Sequence, residues 1–213
     1  MKIGIIGSGV VGKALTTGFI HHGYEVMAGS RQPKKLEAWK TEISAKLRVG
    51  DFAETAAFGD ALVLATKGTA AEQAIKLAGT GNFAGKTVLD TTNPIADTEP
   101  VNGVISFFTK ADESLMERLQ KAVPDANFVK VFNSVGAHLM VNPDYESRPT
   151  MFICGNSETA RADVKKIVDQ FGWDVEDLGM AEAARAIESL CILWCIPGFR
   201  ENRWTHAFKV LKK

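Results

Sequence analysis

Residues 3–14 read "IGIIGSGVVGKA", and this stretch decides the fold. The pattern Gly7-x-Gly9-x-x-Gly12 follows the β-branched run 2–6 and precedes a segment whose apolar residues recur at helical spacing. In such a strand–turn–helix, Gly7 allows a tight turn, Gly9 leaves room for a pyrophosphate, and Gly12 lets the helix pack closely on the strand. The stretch therefore predicts a dinucleotide-binding turn at the start of an α/β domain.

Short apolar runs alternate with helix-like segments in the residues that follow. Further strands are predicted at 24–28, 46–49, 61–65, 86–90 and 128–132, with helices at 10–22, 70–78 and 113–123. Alternation of this kind is typical of a parallel sheet with helices on both faces. The fold class predicted is α/β, a Rossmann-type doubly wound parallel sheet with a small C-terminal helical extension.

The last third of the chain predicts a smaller unit. Strands are expected at 151–154 and 174–178, around a helix at 158–171 that Ser157 caps. The long apolar segment 180–196 is expected to break at Pro197-Gly198, before a short amphipathic tail. We therefore predict a cofactor-binding domain over 1–150, and a C-terminal domain over 151–213 that forms a strand–helix unit with a helical tail and a dimer contact.

The overall composition is that of an ordinary soluble globular protein. The 213 residues are 46% hydrophobic and 23% charged, and 25 basic side chains balance 25 acidic ones. No net field attracts nucleic acid or an anionic membrane, so neither is expected as a partner. The three cysteines suggest neither a disulfide framework nor a zinc site, which favours a reducing cytoplasm and predicts no metal.

The turn after the second strand, "MAGSRQPKK" at 27–35, lacks the acidic residue that binds an unmodified ribose. Ser30 and Arg31 stand there instead, and Lys34 and Lys35 follow one turn later. Hydroxyl and guanidinium groups favour a 2′-phosphate, which an acid would repel. The turn predicts NADP(H) as the cofactor, although a solvated basic turn is the plain alternative.

Polar and small residues also follow the later strands: Thr66, Lys67, Gly68, Asn93, Pro94 and Asn133. Ligands of open α/β sheets bind beyond the carboxyl ends of the strands, so these residues are candidate cofactor contacts. Lys67 is expected to reach the pyrophosphate or nicotinamide ribose, or else to be a solvated loop charge. The Asn93 amide is expected to bind the nicotinamide carboxamide, or else to serve only its turn. Asn133 is expected to line the acceptor side of the cleft.

Five segments together resemble the coenzyme F420-dependent NADP oxidoreductase family: "MKIGIIGSGVVGKAL", "AGSR", "TTNPI", "KVFNSVGA" and "AARAIESL". The reductase domains of membrane ferric reductases look similar as well. The resemblance implies a Rossmann domain with a small C-terminal domain, usually a homodimer, that passes hydride between NADP(H) and a deazaflavin or a flavin. By position, it assigns the pyrophosphate to Gly7, Ser8, Gly9, Val10 and Val11, and the 2′-phosphate to Ser30 and Arg31.

The function that these observations favour is hydride transfer between NADPH and a flat acceptor, either coenzyme F420 or a flavin. Stacking of two rings supplies most of the catalysis through positioning, so no catalytic acid or base is expected. Two alternatives remain open at this point. One is an NADP(H)-binding sensor without turnover, and the other is an NADP-dependent dehydrogenase or reductase of a small substrate.

Overall fold

The computed structural model describes residues 1–213 and has a sheet of six parallel strands at its centre. The strands are β1 (Lys2–Ile6), β2 (Glu25–Gly29), β3 (Arg48–Gly50), β4 (Ala61–Leu64), β5 (Thr87–Asp90) and β6 (Asn127–Lys130). Their order in space is β3-β2-β1-β4-β5-β6, so the chain reverses its direction of winding between β1 and β4. This is the strand order of dinucleotide-binding sheets, and it confirms the predicted Rossmann-type fold.

Helices connect the strands on both faces of the sheet. They are α1 (Val10–His21), α2 (Glu37–Ile43), α3 (Phe52–Phe58), α4 (Gly68–Ala78) and α5 (Leu115–Ala122). Local sequence sets where two of them begin. Asp51 before α3 and Ser114 before α5 each form a capping box with the glutamate three residues later.

The C-terminal part adds a second, parallel pair of strands. These are β7 (Thr150–Ile153) and β8 (Asp174–Asp177), joined by α6 (Glu158–Gln170), whose first turn is capped by the predicted Ser157. A single antiparallel bridge between Lys130 and Cys154 connects the pair to β6. The helix α7 (Ala184–Glu201) then packs against α5.

Two apolar clusters fill the two sides of the sheet. The first holds Phe19 and Phe132 together with Phe171 and Trp173 of the C-terminal part, all at most 1% exposed. The second packs α3, α4 and α5 against the sheet and includes Ile187 of α7. Both clusters therefore draw side chains from either side of residue 150, and the division into two domains at that residue stays a prediction.

The break expected at Pro197-Gly198 is absent, because α7 continues through Pro197 to Glu201. The helix ends instead at Asn202, whose left-handed backbone (φ 52°) lets the Arg203 N–H bond to the Pro197 carbonyl. The predicted C-terminal helical extension is α7 itself, and the residues after it form neither helix nor strand. They fold back, and the Trp204 ring covers Gly198 so closely that no side chain would fit there.

No helix in the structure combines the length and the apolar character that crossing a membrane requires.

Candidate functional site: a dinucleotide cleft at the carboxyl ends of the strands

The glycines of the first turn play different physical roles. A Cβ on Gly7, whose φ is +124°, would lie 2.3 Å from the Ala65 carbonyl oxygen, and a Cβ on Gly12 would lie 2.0 Å from that of Gly7. These two glycines therefore permit close packing of β1, α1 and β4. A Cβ on Gly9 would meet nothing within 4 Å. Gly9 faces open space at the start of α1, where no side chain caps the helix, as a pyrophosphate site requires.

One cavity of about 280 Å³ lies beside this turn and reaches the end of β2. Gly7, Ser8 and Gly9 line it together with Ser30 and Arg31, so the structure brings the two predicted anion-binding turns to one space. The Ser30 hydroxyl accepts a hydrogen bond from the Gln32 N–H at 3.1 Å, and its own hydrogen remains available. Arg31 is exposed and takes part in no ion pair.

A second cavity, of about 550 Å³, lies beyond the ends of β4 and β5. Val11, Gly68 and the turn 91–93 line it, and the loop 95–99 forms its outer wall. Thr66 and Lys67 line both cavities, so the two spaces meet at the end of β4. The Thr66 hydroxyl oxygen is buried and has no hydrogen-bond partner within the protein. At the surface, Lys67 Nζ lies 3.7 Å from Asp97 Oδ1, and both side chains are largely exposed.

The side chains of Asn93 and Asn133 are linked to each other. Asn93 Nδ2 donates to the Asn133 carbonyl oxygen at 2.7 Å, and Asn133 Nδ2 donates to Asn93 Oδ1 at 3.0 Å. Asn133 Nδ2 also donates to the carbonyl oxygen of Ile187 in α7, at 2.9 Å. Asn93 lines the second cavity, whereas Asn133 is buried behind it and lines neither cavity. The structure thus makes Asn133 a support for Asn93, and its direct contact with a ligand stays a prediction.

Four other candidates lie away from the cavity walls. Val10 is 77% exposed, Gly12 and Pro94 are buried, and Lys35 is exposed on the 3-10 turn Pro33–Leu36. None of the four lines either cavity. Gly12 acts through packing, as described above. The roles assigned to Val10, Pro94 and Lys35 as cofactor contacts stay predictions.

A charged group is buried directly behind the turn 91–93, and we call it the Lys130 cluster (Asp90, Lys130 and Glu188). Lys130 Nζ lies 2.8 Å from Asp90 Oδ2 and 2.8 Å from Glu188 Oε1, and it donates to the Thr92 carbonyl oxygen at 2.8 Å. Burial alone would lower the pKa of Lys130, but the two carboxylates together outweigh that effect and raise it. The ammonium group therefore stays charged although it is fully buried.

Comparison with known proteins decides the family. The family model described as coenzyme F420-dependent NADP oxidoreductase matches residues 2–94. A crystal structure from Arthrobacter sp. FB24, provisionally described as an F420-dependent NADP reductase, is 31% identical, with a TM-score of 0.92 and full coverage of both chains. This chain belongs to the F420-dependent NADP oxidoreductase family. It is an NADP-dependent oxidoreductase, as the sequence predicts.

This family member is also similar to parts of longer proteins. It is 30% identical to the metalloreductase STEAP2 of Homo sapiens over 198 residues, and 26% identical to the metalloreductase STEAP3 of Rattus norvegicus over 189 residues. In each case the match covers 89% of this chain and 36% of the relative. The chain therefore spans little more than a third of the length of these curated relatives.

The residues present in this oxidoreductase fit NADP(H). The open space at Gly9 accommodates a pyrophosphate, Ser30 and Arg31 offer donors to a 2′-phosphate, and the unpartnered Thr66 hydroxyl points to a polar ligand between the two cavities. NADPH bound at this site would supply a hydride from its nicotinamide ring.

Sequence reasoning missed several residues that line the cleft of this oxidoreductase. Phe52, Gln73 and Leu77 line the first cavity, and Asp97 and Glu99 line the second. No motif marks them, because they come from helix faces and a loop that only the fold brings to the cleft. A signal did exist for the Lys130 cluster, since each of its members is a charged residue within or at the end of an apolar run.

Proposed function

We propose that this oxidoreductase transfers hydride between NADPH and a flat redox-active ring, a deazaflavin such as coenzyme F420 or a flavin. The observation that carries the proposal is the pair of cavities that meet at Thr66 and Lys67. The smaller one, with Arg31 at its wall, suits the adenosine 2′-phosphate end. The larger one suits the nicotinamide, with space left for an acceptor.

The chemistry of the larger cavity supports a reaction that depends on positioning. Its inner wall consists of Thr91, Thr92, Asn93 and Val11, and the two threonine hydroxyls donate inward, to the Leu64 carbonyl oxygen and to Asp90 Oδ1. The charged side chains at this cavity, Lys67, Asp97 and Glu99, are all exposed. The Asn93 amide can orient a carboxamide, and hydride transfer between stacked rings needs no further acid or base.

An acceptor panel tests the proposal. Purified protein with NADPH is supplied with coenzyme F420, FMN, FAD, a quinone, a cyclic imine or ferric citrate, and NADPH oxidation is followed at 340 nm. We expect turnover with the deazaflavin or a flavin. Turnover with the imine alone would replace the proposal with a small-substrate reductase. Tight NADPH binding without oxidation by any acceptor would indicate a sensor.

We also propose that the chain forms a homodimer through α7. This helix exposes two large apolar side chains, Leu193 (55% exposed) and Phe199 (50% exposed). Light scattering after gel filtration measures the mass directly. A dimer that becomes a folded monomer in Leu193→Glu supports the proposal, and a monomeric native protein refutes it.

A further inference from the structure

The Lys130 cluster has no part in the hydride transfer proposed above, yet it contacts Thr92, which lines the larger cavity. Its three side chains come from β5, β6 and α7, and each is at most 1% exposed. Glu188 also accepts hydrogen bonds from the N–H groups of Leu115 and Met116, at the start of α5. The cluster thus joins two strands and two helices at one point.

Stability alone does not account for such a cluster. Burying a charge is costly, and apolar side chains of similar volume often stabilise a core as well as a buried ion pair does. A buried ion pair also fixes the orientation of the groups that it contacts, because its hydrogen bonds are directional. The ammonium group of Lys130 has three N–H bonds, and it faces three acceptors, Asp90, Glu188 and the Thr92 carbonyl.

Of these three hydrogen-bond acceptors, the Thr92 carbonyl belongs to the turn that lines the larger cavity. Asp90 Oδ1 accepts from both the Thr92 N–H (2.9 Å) and the Thr92 hydroxyl (2.7 Å), while Lys130 donates to the Thr92 carbonyl (2.8 Å). Every polar group of Thr92 is therefore held by the cluster. The next peptide unit leads to Asn93, which lines the cavity and whose amide also bonds to Asn133.

We propose that Lys130 is a positioning residue, which through the Thr92 carbonyl holds the Asn93 amide in place at the nicotinamide end of the cleft. Glu188 and the Ile187 carbonyl extend this support to α7, so the last helix takes part in shaping the cleft. The inference rests on the proposed assignment of the larger cavity to the nicotinamide.

Two nucleotide probes separate this role from a general effect on folding. The probe 2′,5′-ADP contains only the adenosine half of the cofactor, whereas NADPH contains both halves. The variant Asp90→Asn/Lys130→Met/Glu188→Gln removes all three charges and keeps the side-chain volumes similar. Calorimetry measures both dissociation constants, and nicotinamide fluorescence reports on the environment of the ring.

For this variant we expect an unchanged dissociation constant for 2′,5′-ADP and one about tenfold higher for NADPH, as one lost hydrogen bond would cause. The emission of bound NADPH should also move toward that of the free cofactor. Lys86→Met is the matched control, because Lys86 donates to a different carbonyl, that of Ala56, and lines neither cavity. The control should leave both constants unchanged.

The single variant Asp90→Asn keeps the test decisive if the triple variant does not fold. It leaves one ammonium and one carboxylate, and it places an amide N–H opposite either Lys130 or Thr92, so NADPH binding should weaken selectively. Equal weakening of both probes, or no change in either, overturns the positioning role. A native protein that binds neither probe overturns the proposed function itself.

Discussion

Gly68 lies so close to Asn93 that a Cβ on Gly68 would stand 2.0 Å from the Asn93 carbonyl oxygen. The first residue of α4 and the turn after β5 are thus in contact through backbone atoms. Any side chain at position 68 would push this turn, and with it the wall of the larger cavity, away from α4.

We therefore expect Gly68→Ala to lower the free energy of unfolding by about 1–3 kcal/mol, the usual cost of overpacking. Urea unfolding followed by circular dichroism measures the change. Gly81→Ala is the control, because a Cβ at Gly81 meets nothing within 4 Å. Equal stability of the two variants would show that the contact at Asn93 is easily relieved.

Arg31 is expected to discriminate NADPH from NADH. A charge-assisted hydrogen bond contributes about 1.5–3 kcal/mol, so Arg31→Ala should weaken NADPH binding roughly tenfold to a hundredfold and leave NADH binding unchanged. Lys35→Ala removes the same charge from the same segment but at a position away from the cavity. It should have a much smaller effect, and equal losses for the two dinucleotides in Arg31→Ala would contradict the assignment.

The first turn offers two glycine substitutions with opposite outcomes. Gly9→Ala adds a Cβ in open space at an ordinary backbone conformation (φ −74°), so the protein should fold and lose NADPH affinity by about tenfold or more as the pyrophosphate space fills. Gly12→Ala forces a Cβ to 2.0 Å from the Gly7 carbonyl oxygen and should mainly destabilise the fold. Thermal melts and calorimetry with NADPH distinguish the two variants. Normal NADPH binding by Gly9→Ala would contradict the assignment of the pyrophosphate to this turn.

Glu117 links α5 to α7 and should make stability depend on pH. Its hydrogen bonds to Arg185, and secondarily to Ser114, lower the pKa of its carboxyl to about 2. Because the pKa is about 4.3 in an unfolded chain, the stabilisation is complete above that pH and is lost as the pH falls toward about 2.

Glu117→Gln should therefore be less stable than the native protein at pH 7, by about 1 kcal/mol for so exposed an ion pair, and the difference should shrink below about pH 4.3. Urea unfolding at several pH values between 7 and 3 tests this. Glu72→Gln, at an exposed position on α4, should give a profile parallel to that of the native protein. A constant difference for Glu117→Gln across this range would exclude the titration as its cause.

The sequence predicted the sheet well because buried parallel strands leave a local signal, a short apolar run between breaks. The prediction of a helix break at Pro197 was wrong. The cost of a proline within a helix can be read from the local sequence, whereas the packing of Trp204 on Gly198 is a tertiary contact that the local sequence does not reveal. The same distinction holds at the site. Ser30 and Arg31 were predictable because they directly follow β2.

Asn133 lies at the predicted end of the sheet but behind Asn93 and not at a cavity wall, since a strand-end rule does not say which amide stands in front. The Lys130 cluster was beyond prediction as a unit. Its members are far apart in the sequence, and only the packing of α7 on α5 brings Glu188 to Lys130.

The position of Glu188 in α7 determines whether the cofactor-binding part can be separated from the C-terminal part. A chain that ended at residue 150 would keep every strand of the six-stranded sheet, yet it would leave Lys130 with one carboxylate and Asn133 without the Ile187 carbonyl. Residues 1–150 alone therefore lack contacts that support the cofactor cleft. Anyone who grafts this NADP-binding unit onto another scaffold must carry α7 with it or redesign positions 90 and 130 together.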